Sequence, residues 1–287
     1  MRTVTLLDLL LPLSLVIVII PFAYGWGYDG HIAICRIAQA RLSSIAAEAV
    51  KKLLPASAHD DLGRLCPWAD RIKFRYRWSS DLHFVNTPDD VCTYNYTRDC
   101  NGRNGAKGRC LTGAINNYTT QLLSYRNKKP RYNLTEALLF LSHFLGDIHQ
   151  PLHVGFATDM GGNRIKVTWF NTRRVLHQVW DTDVIKRDEG GFNPSNVDQL
   201  VRNIQLKIKS KWANQVNAWE TCGGHQKTCP NMYAAESIKA ACQWAYKGVH
   251  PGSVLKDEYY QTRLPVVEMR LAQAGIRLAA TLNRILT

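Results

Sequence analysis

A leucine-rich helix, read from Leu134 to Ile148 with Glu136 in its first turn and Pro151 just past its end, carries His143 and Asp147 four residues apart. Spacing of four stacks side chains on one helical face, so any fold of this chain has to hold an imidazole and a carboxylate side by side there. The same spacing returns at His177 and Asp181. Such a pair can grip one metal ion, or its carboxylate can bridge two, and imidazole with carboxylate is a ligand set that suits zinc. A single His-x3-Asp is more often a surface contact than a site. Two of them, with His153 six residues beyond Asp147, gather five metal-capable side chains into two segments. Asp70 in Trp68-Ala69-Asp70 and His83 in Leu82-His83-Phe84 are further candidates, because a polar group bracketed by apolar neighbours tends to be buried and must then be paired or ligated.

Helical periodicity governs most of the remaining chain. It begins with Ile34, Ile37 and Ala38, resumes from Ile45 until Pro55 stops it, and returns at Val197 to Ile208 and at Val266 to Ile285, the last stripe starting after Pro265. Between Gly161 and Leu176 the period changes: Ile165, Val167 and Trp169 alternate with polar residues and Asn171-Thr172 can turn the chain, which predicts a short β-hairpin. Polar, glycine-containing sequence from Val91 to Arg109 reads as a long surface loop. With no internal repeat, low-complexity tract or linker, the expectation is a mainly α fold, a single compact helical domain over residues 26–287 with that hairpin as a minor element.

Residues 1–25 read as a signal peptide. Arg2 precedes an apolar run from Leu9 to Phe22 that is interrupted by Pro12, Ser14 and Pro21, and Ala23-Tyr24-Gly25 supplies a small-x-small ending before Trp26. The run is shorter than the roughly 20 residues of a membrane span, and no transmembrane stretch follows it, so the expectation is the secretory pathway, extracellular or vacuolar, with no stable membrane association. In that compartment an even set of eight cysteines reads as disulfides rather than metal ligands. Sequons at Asn95, Asn117 and Asn133 fit the same route. The net charge of +13 favours polyanionic partners such as nucleic acid or an anionic membrane surface, although solubility alone would also be served by it.

Taken in order, Trp26-Gly-Tyr-Asp-Gly-His31, Trp68-Ala-Asp70, Leu82-His83-Phe84, His143 through His153, Gly161-Gly162-Asn163 and His177-Gln-Val-Trp-Asp181 resemble the single-strand-specific zinc nucleases of plants and fungi, the type I nuclease family, across essentially all of residues 26–287. The resemblance implies a zinc phospholipase C/nuclease-like fold and three zinc ions. Asp70, His83, His143 and Asp147 would hold the first, His153, His177 and Asp181 the second, and the amine and carbonyl of Trp26, with His31 and Asp147, the third. It implies in-line attack on phosphorus by water activated between the first and third ions, the second stabilising the departing 3′ oxygen. Asp70 would orient the nucleophile and Lys73 would contact the phosphate. Phe84, Asn86, Gly161, Gly162 and Asn163 would form a base pocket, with Asn86 standing where the family commonly has an aspartate. Also from the resemblance, with local spacing, come the disulfides Cys35–Cys66, Cys92–Cys242, Cys100–Cys110 and Cys222–Cys229.

The activity so implied is that of an endonuclease acting on single-stranded DNA and RNA and leaving 5′-phosphates, as a monomer. A base stacked on a side chain has to be out of a duplex, so preference for single strands follows from such a pocket. The alternatives are a zinc-dependent phospholipase C, which would also suit a basic secreted protein, and a zinc-dependent binding protein with weak or lost turnover, which only Asn86 encourages.

Overall fold

The leucine-rich segment forms a helix, Leu134–Asp147, with Ile148 as its C-cap. The Asn133 side chain caps the other end by accepting from the Glu136 amide, 3.2 Å away. Every side chain from Ala137 to Asp147 is buried, so this helix is an axis of the core rather than a surface element. A computed structural model describes residues 26–102, 104–127, 129, 131–189, 196–224 and 226–287; the signal peptide expected over residues 1–25 lies outside the described residues.

The helices packed on this axis include Tyr28–Gln39, Leu111–Leu122 and the C-terminal Asp257–Ile285. Tyr118 of the second stacks on Phe140, ring centroids 4.9 Å apart, and Phe140 stacks in turn on Phe144 at 5.4 Å. The first and last helices cross at Gly275, where an added Cβ would lie 2.5 Å from Ile37 Cγ2. Ile37 is fully buried and has nowhere to move. Gly275→Ala should therefore destabilise the fold by about 1–3 kcal/mol through overpacking. A shift in the denaturant midpoint equivalent to less than about 0.5 kcal/mol would show that the crossing can relax.

Two sequence expectations need correction. The last helix does not wait for Pro265 but starts at Asp257 and contains the proline. Proline deprives the Gln261 carbonyl of its usual donor, yet Gln261 is exposed, so water can serve instead, and Asp257 and Glu258 favour an early start at the positive end of the helix. The hairpin pairs Lys166–Trp169 with Thr172–Val175, but it turns at Phe170-Asn171, one residue earlier than expected, with Phe170 at φ +52°. Val254–Leu255 adds a parallel third strand.

A second, parallel pair was not foreseen. Val85–Thr87 runs beside Val154–Phe156, with Asn86 opposite Gly155. Because one strand follows His153 and the other follows His83 after Phe84, the ladder fixes where both imidazoles emerge. The disulfides are Cys35–Cys66, Cys92–Cys242, Cys100–Cys110 and Cys222–Cys229, with no free cysteine among the described residues. The first ties the helix bearing His31 to the chain just before Asp70; the third closes the Val91–Arg109 loop, which also contains a short helix, Tyr96–Asp99. Among the described residues no helix is long and apolar enough to cross a membrane.

Candidate metal centre

His143 and Asp147 lie on consecutive turns of the buried axis, with Nε2 and Oδ2 3.2 Å apart. Asp147 is fully buried and its two oxygens face different partners. Oδ2 is 3.0 Å from His83 Nδ1, while Oδ1 is 3.2 Å from His31 Nε2 and 3.8 Å from His153 Nδ1. Asp70, carried on the short helix Trp68–Ile72, brings Oδ1 to 3.6 Å from His83 and 3.7 Å from His143. His31 stacks on His143, centroids 3.9 Å apart, and it reaches that position because Gly146 has no side chain: a Cβ there would meet His31 Nδ1 at 2.8 Å.

The second cluster joins His153, His177 and Asp181. His177 lies within a short helical turn, Leu176–Gln178, and Asp181 lies in the π-helical turn Val179–Asp183, so the pair spans a junction rather than one regular helix face. Their Nε2 and Oδ2 atoms still come within 3.2 Å. Trp26 is fully buried beside this turn, held there by the Gly27 amide, which donates to the Asp181 carbonyl at 2.7 Å.

Hydrogen bonding fixes the tautomers. His143, His153 and His177 each donate Nδ1–H to a backbone carbonyl, of Cys66 at 2.9 Å, His83 at 2.6 Å and Gly161 at 2.6 Å. A carbonyl can only accept, so in each neutral ring the lone pair sits on Nε2 and aims into the site, as second-shell carbonyls do for metal-ligating histidine. His153 and His177 then point Nε2 lone pairs at each other across 3.2 Å, which repels unless a cation lies between them. His31 Nε2 and Asp147 Oδ1 lie within reach but without hydrogen-bonding geometry, and both are buried without another partner, as is His83 Nε2. A shared proton would relieve one such pair; the convergence of five imidazoles and three carboxylates in overlapping groups fits metal cations.

Electrostatics divides the donor set: burial opposes charge on every imidazole, but Asp147 and Asp70 raise His143 to about 8 and Asp181 raises His177. Burial pushes His153 down to about 3, against the pull of Asp147, and lifts the Asp181 carboxyl to about 6 although His177 opposes it. Burial, and then His143, lowers His31 as well. Groups so desolvated gain most from a cation placed among them.

Around the cluster, Lys73 Nζ sits 3.1 Å from Asp70 Oδ1. Phe84 is half-buried and Asn86 exposed, on the strand facing Gly155. Gly161 and Gly162 adopt φ of +62° and +82°, and a Cβ at Gly155 would meet Gly161 Cα at 2.7 Å, so the glycines bring the backbone beside Asn86 closer than side chains would allow. Asn163 donates its amide to the Met160 carbonyl at 2.8 Å. Asn95, Asn117 and Asn133 are exposed.

Sequence reasoning overlooked Gln150, fully buried, which donates Nε2–H to Asp181 Oδ1 and accepts from the Leu152 amide at 2.5 Å. Its signal was a polar side chain inside the His143–His153 string. His149 stands apart from the cluster: Nδ1 donates to Leu145 O at 2.7 Å, and Nε2 accepts from Arg277 at 3.0 Å. Burial, and then Arg270 and Arg277, hold it neutral, well below its ordinary pKa.

Residues 26–287 match the S1/P1 Nuclease family. The chain is 56% identical over 268 residues to Endonuclease 2 of Arabidopsis thaliana, with 92% of each chain covered. It is 32% identical over 289 residues to Nuclease S1 of Aspergillus oryzae, covering 96% of this chain and 97% of that one. To Nuclease P1 of Penicillium citrinum it is 30% identical over 273 residues, covering 91% and 97%. Matched over residues 26–287, the chain belongs to the S1/P1 nuclease family.

Proposed function

We infer that this protein is an endonuclease that hydrolyses phosphodiester bonds of single-stranded DNA and RNA to 5′-phosphate products with the help of three zinc ions. The observation that carries the metal reading is the pair of tautomer-fixed Nε2 atoms facing each other in His153 and His177, set among buried carboxylates. Asp70, His83, His143 and Asp147 would hold one ion and His153, His177 and Asp181 a second. His31, Asp147 and a freed Trp26 amine with its carbonyl would hold the third. Nitrogen and oxygen donors without cysteine suit catalytic zinc. When bound, such ions supply Lewis acidity, lowering the pKa of water and offsetting phosphate charge.

The chain's own residues then position substrate. Lys73, beside Asp70 at the rim, offers a cation to the phosphate, and Asp70 orients the attacking water. Phe84 supplies a face for an unpaired base, while Gly161 and Gly162 let the backbone approach its edge. Asn86 both donates and accepts there, which alters base ranking relative to a carboxylate. Export through a signal peptide over residues 1–25, to an extracellular or vacuolar address, with sugars on Asn95, Asn117 and Asn133, is supported by the four disulfides and by the exposure of those asparagines. We take the working form to be a monomer.

The test is exhaustive chelation followed by zinc return, assayed on single-stranded DNA, single-stranded RNA, duplex DNA and phosphatidylcholine. Cleavage of the single strands should vanish with the metal and recover with zinc. Undiminished cleavage by protein of negligible metal content would overturn the reading. Hydrolysis of phosphatidylcholine with nucleic acid left intact would favour a phospholipase C instead, and zinc-dependent binding without turnover would favour a binding protein.

A further inference from the structure

Between the candidate ligands Asp70 and His83 the chain reads Arg71-Ile72-Lys73-Phe74-Arg75-Tyr76-Arg77-Trp78, and Asp81 is the lone carboxylate between them. Arg71, Arg75 and Arg77 are exposed, and so are Phe74 at 52% and Trp78 at 48%. Trp78 keeps one edge on the core, its ring centroid 5.8 Å from that of the buried Phe140, while about half of each ring stays open to solvent beside several guanidinium groups. The segment is nonetheless held in place. Tyr76 donates its hydroxyl to Glu136 Oε1 at 3.2 Å on the buried axis and its amide to Ile72 O at 2.8 Å. Arg109 donates to Trp78 O at 2.6 Å, and the Trp78 ring stacks on Tyr76 with centroids 5.7 Å apart. Both ends are anchored in the metal cluster.

We propose that this basic aromatic ridge is a strand-binding track for nucleotides flanking the scissile phosphate of a single-stranded polynucleotide. Bases stack on Phe74 and Trp78, and Arg71, Arg75 and Arg77 take the phosphates between them. The proposal rests on the nuclease reading and deepens it by naming the length and form of the substrate. Charge complementarity selects the occupant: four cations against one carboxylate in the stretch from Arg71 to Asp81 favour a polyanion. The interleaved rings favour one whose bases are free to stack. A guanidinium can grip phosphate through two parallel bonds and also lie flat on a base, which suits arginine to this track. With the nucleotides at the cut seated on Phe84 and the metal centre, a dinucleotide leaves the track empty, whereas an oligonucleotide extends along it.

The test compares kcat/KM of the zinc-loaded protein on thymidine dinucleotide and on an oligothymidylate of about twelve nucleotides. It is joined by anisotropy titration of a labelled phosphorothioate oligothymidylate. Phe74→Ala should lower kcat/KM on the oligonucleotide about tenfold and weaken its binding by a similar factor, leaving the dinucleotide unchanged. Phe74→Trp, which keeps a stacking face, should retain wild-type values. Replacing Arg71, Arg75 and Arg77 together by alanine should reduce the slope of log kcat/KM against log salt by about 2, near 0.7 per lost phosphate contact on a single strand. Equal losses on both substrates, or none on either, would overturn the track while leaving the nuclease reading standing. If the wild-type protein cuts neither substrate but Phe74→Ala still weakens oligonucleotide binding, the track stands and the nuclease reading falls.

Discussion

Asp147→Ala should lower kcat by at least about a thousandfold and should remove the capacity for about two metal ions, whereas His143→Ala should remove about one. The difference follows from donor count. An imidazole whose Nδ1 proton is committed to the Cys66 carbonyl has a single lone pair to give. The Asp147 carboxylate has two oxygens, one facing His83 and His143 and the other facing His31 and His153. Deleting it leaves those imidazoles without the one carboxylate that, among the described residues, faces both sets at these distances. Because Asp147 lies at the last turn of a buried helix, alanine fits the backbone, and the fold should survive with its disulfides intact. Elemental analysis, circular dichroism and initial rates on single-stranded DNA would measure the three quantities. Metal content unchanged in Asp147→Ala, or lower in His143→Ala than in Asp147→Ala, would mean that Asp147 does not bridge.

The site was more legible in sequence than the details of the fold. His143 and Asp147 stood out because a charged pair in a leucine-rich helix has few explanations, and the structure buries both completely. His177 and Asp181 were visible by spacing, but the π-helical turn between them was not, since no local propensity distinguishes an i+5 turn from an ordinary one. The parallel pair Val85–Thr87 and Val154–Phe156 was hidden because three-residue strands give too little alternation to read, and their pairing joins segments far apart in sequence. Pro265 misled for a different reason: an interior proline costs least where the carbonyl it orphans can turn to water, and exposure at Gln261 is a tertiary property. Gln150 was hidden by its motif, where three histidines drew attention from the amide that orients Asp181. The ridge from Arg71 to Trp78 has no helical or strand period, so only exposure in the folded chain separates its rings from core residues.

Retaining even Gly25 ahead of Trp26 should reduce turnover at least about a hundredfold and lower metal content by about one ion, while leaving the disulfide-bonded fold largely intact. A peptide nitrogen has its lone pair delocalised into the planar amide and cannot serve as a donor. A free α-amine, with a pKa near 8 in model peptides, offers that lone pair once deprotonated, and with its own carbonyl oxygen it is bidentate by covalent structure. The chain is already folded tightly at this point. Trp26 is fully buried, Gly27 is bonded to the Asp181 carbonyl, and a Cβ at Gly27 would come within 2.5 Å of Thr182 Oγ1. The His31 amide reaches back to the Gly27 carbonyl at 3.2 Å, which sets His31 beside Asp147 one helical turn later. An extra residue would therefore mask the amine without unfolding this corner. Protein prepared with Trp26 free and protein retaining Gly25 should be compared by metal content, circular dichroism and hydrolysis of single-stranded DNA. Equal metal content with equal rates would remove Trp26 from the centre and, with it, the proposed link between removal of residues 1–25 and activity.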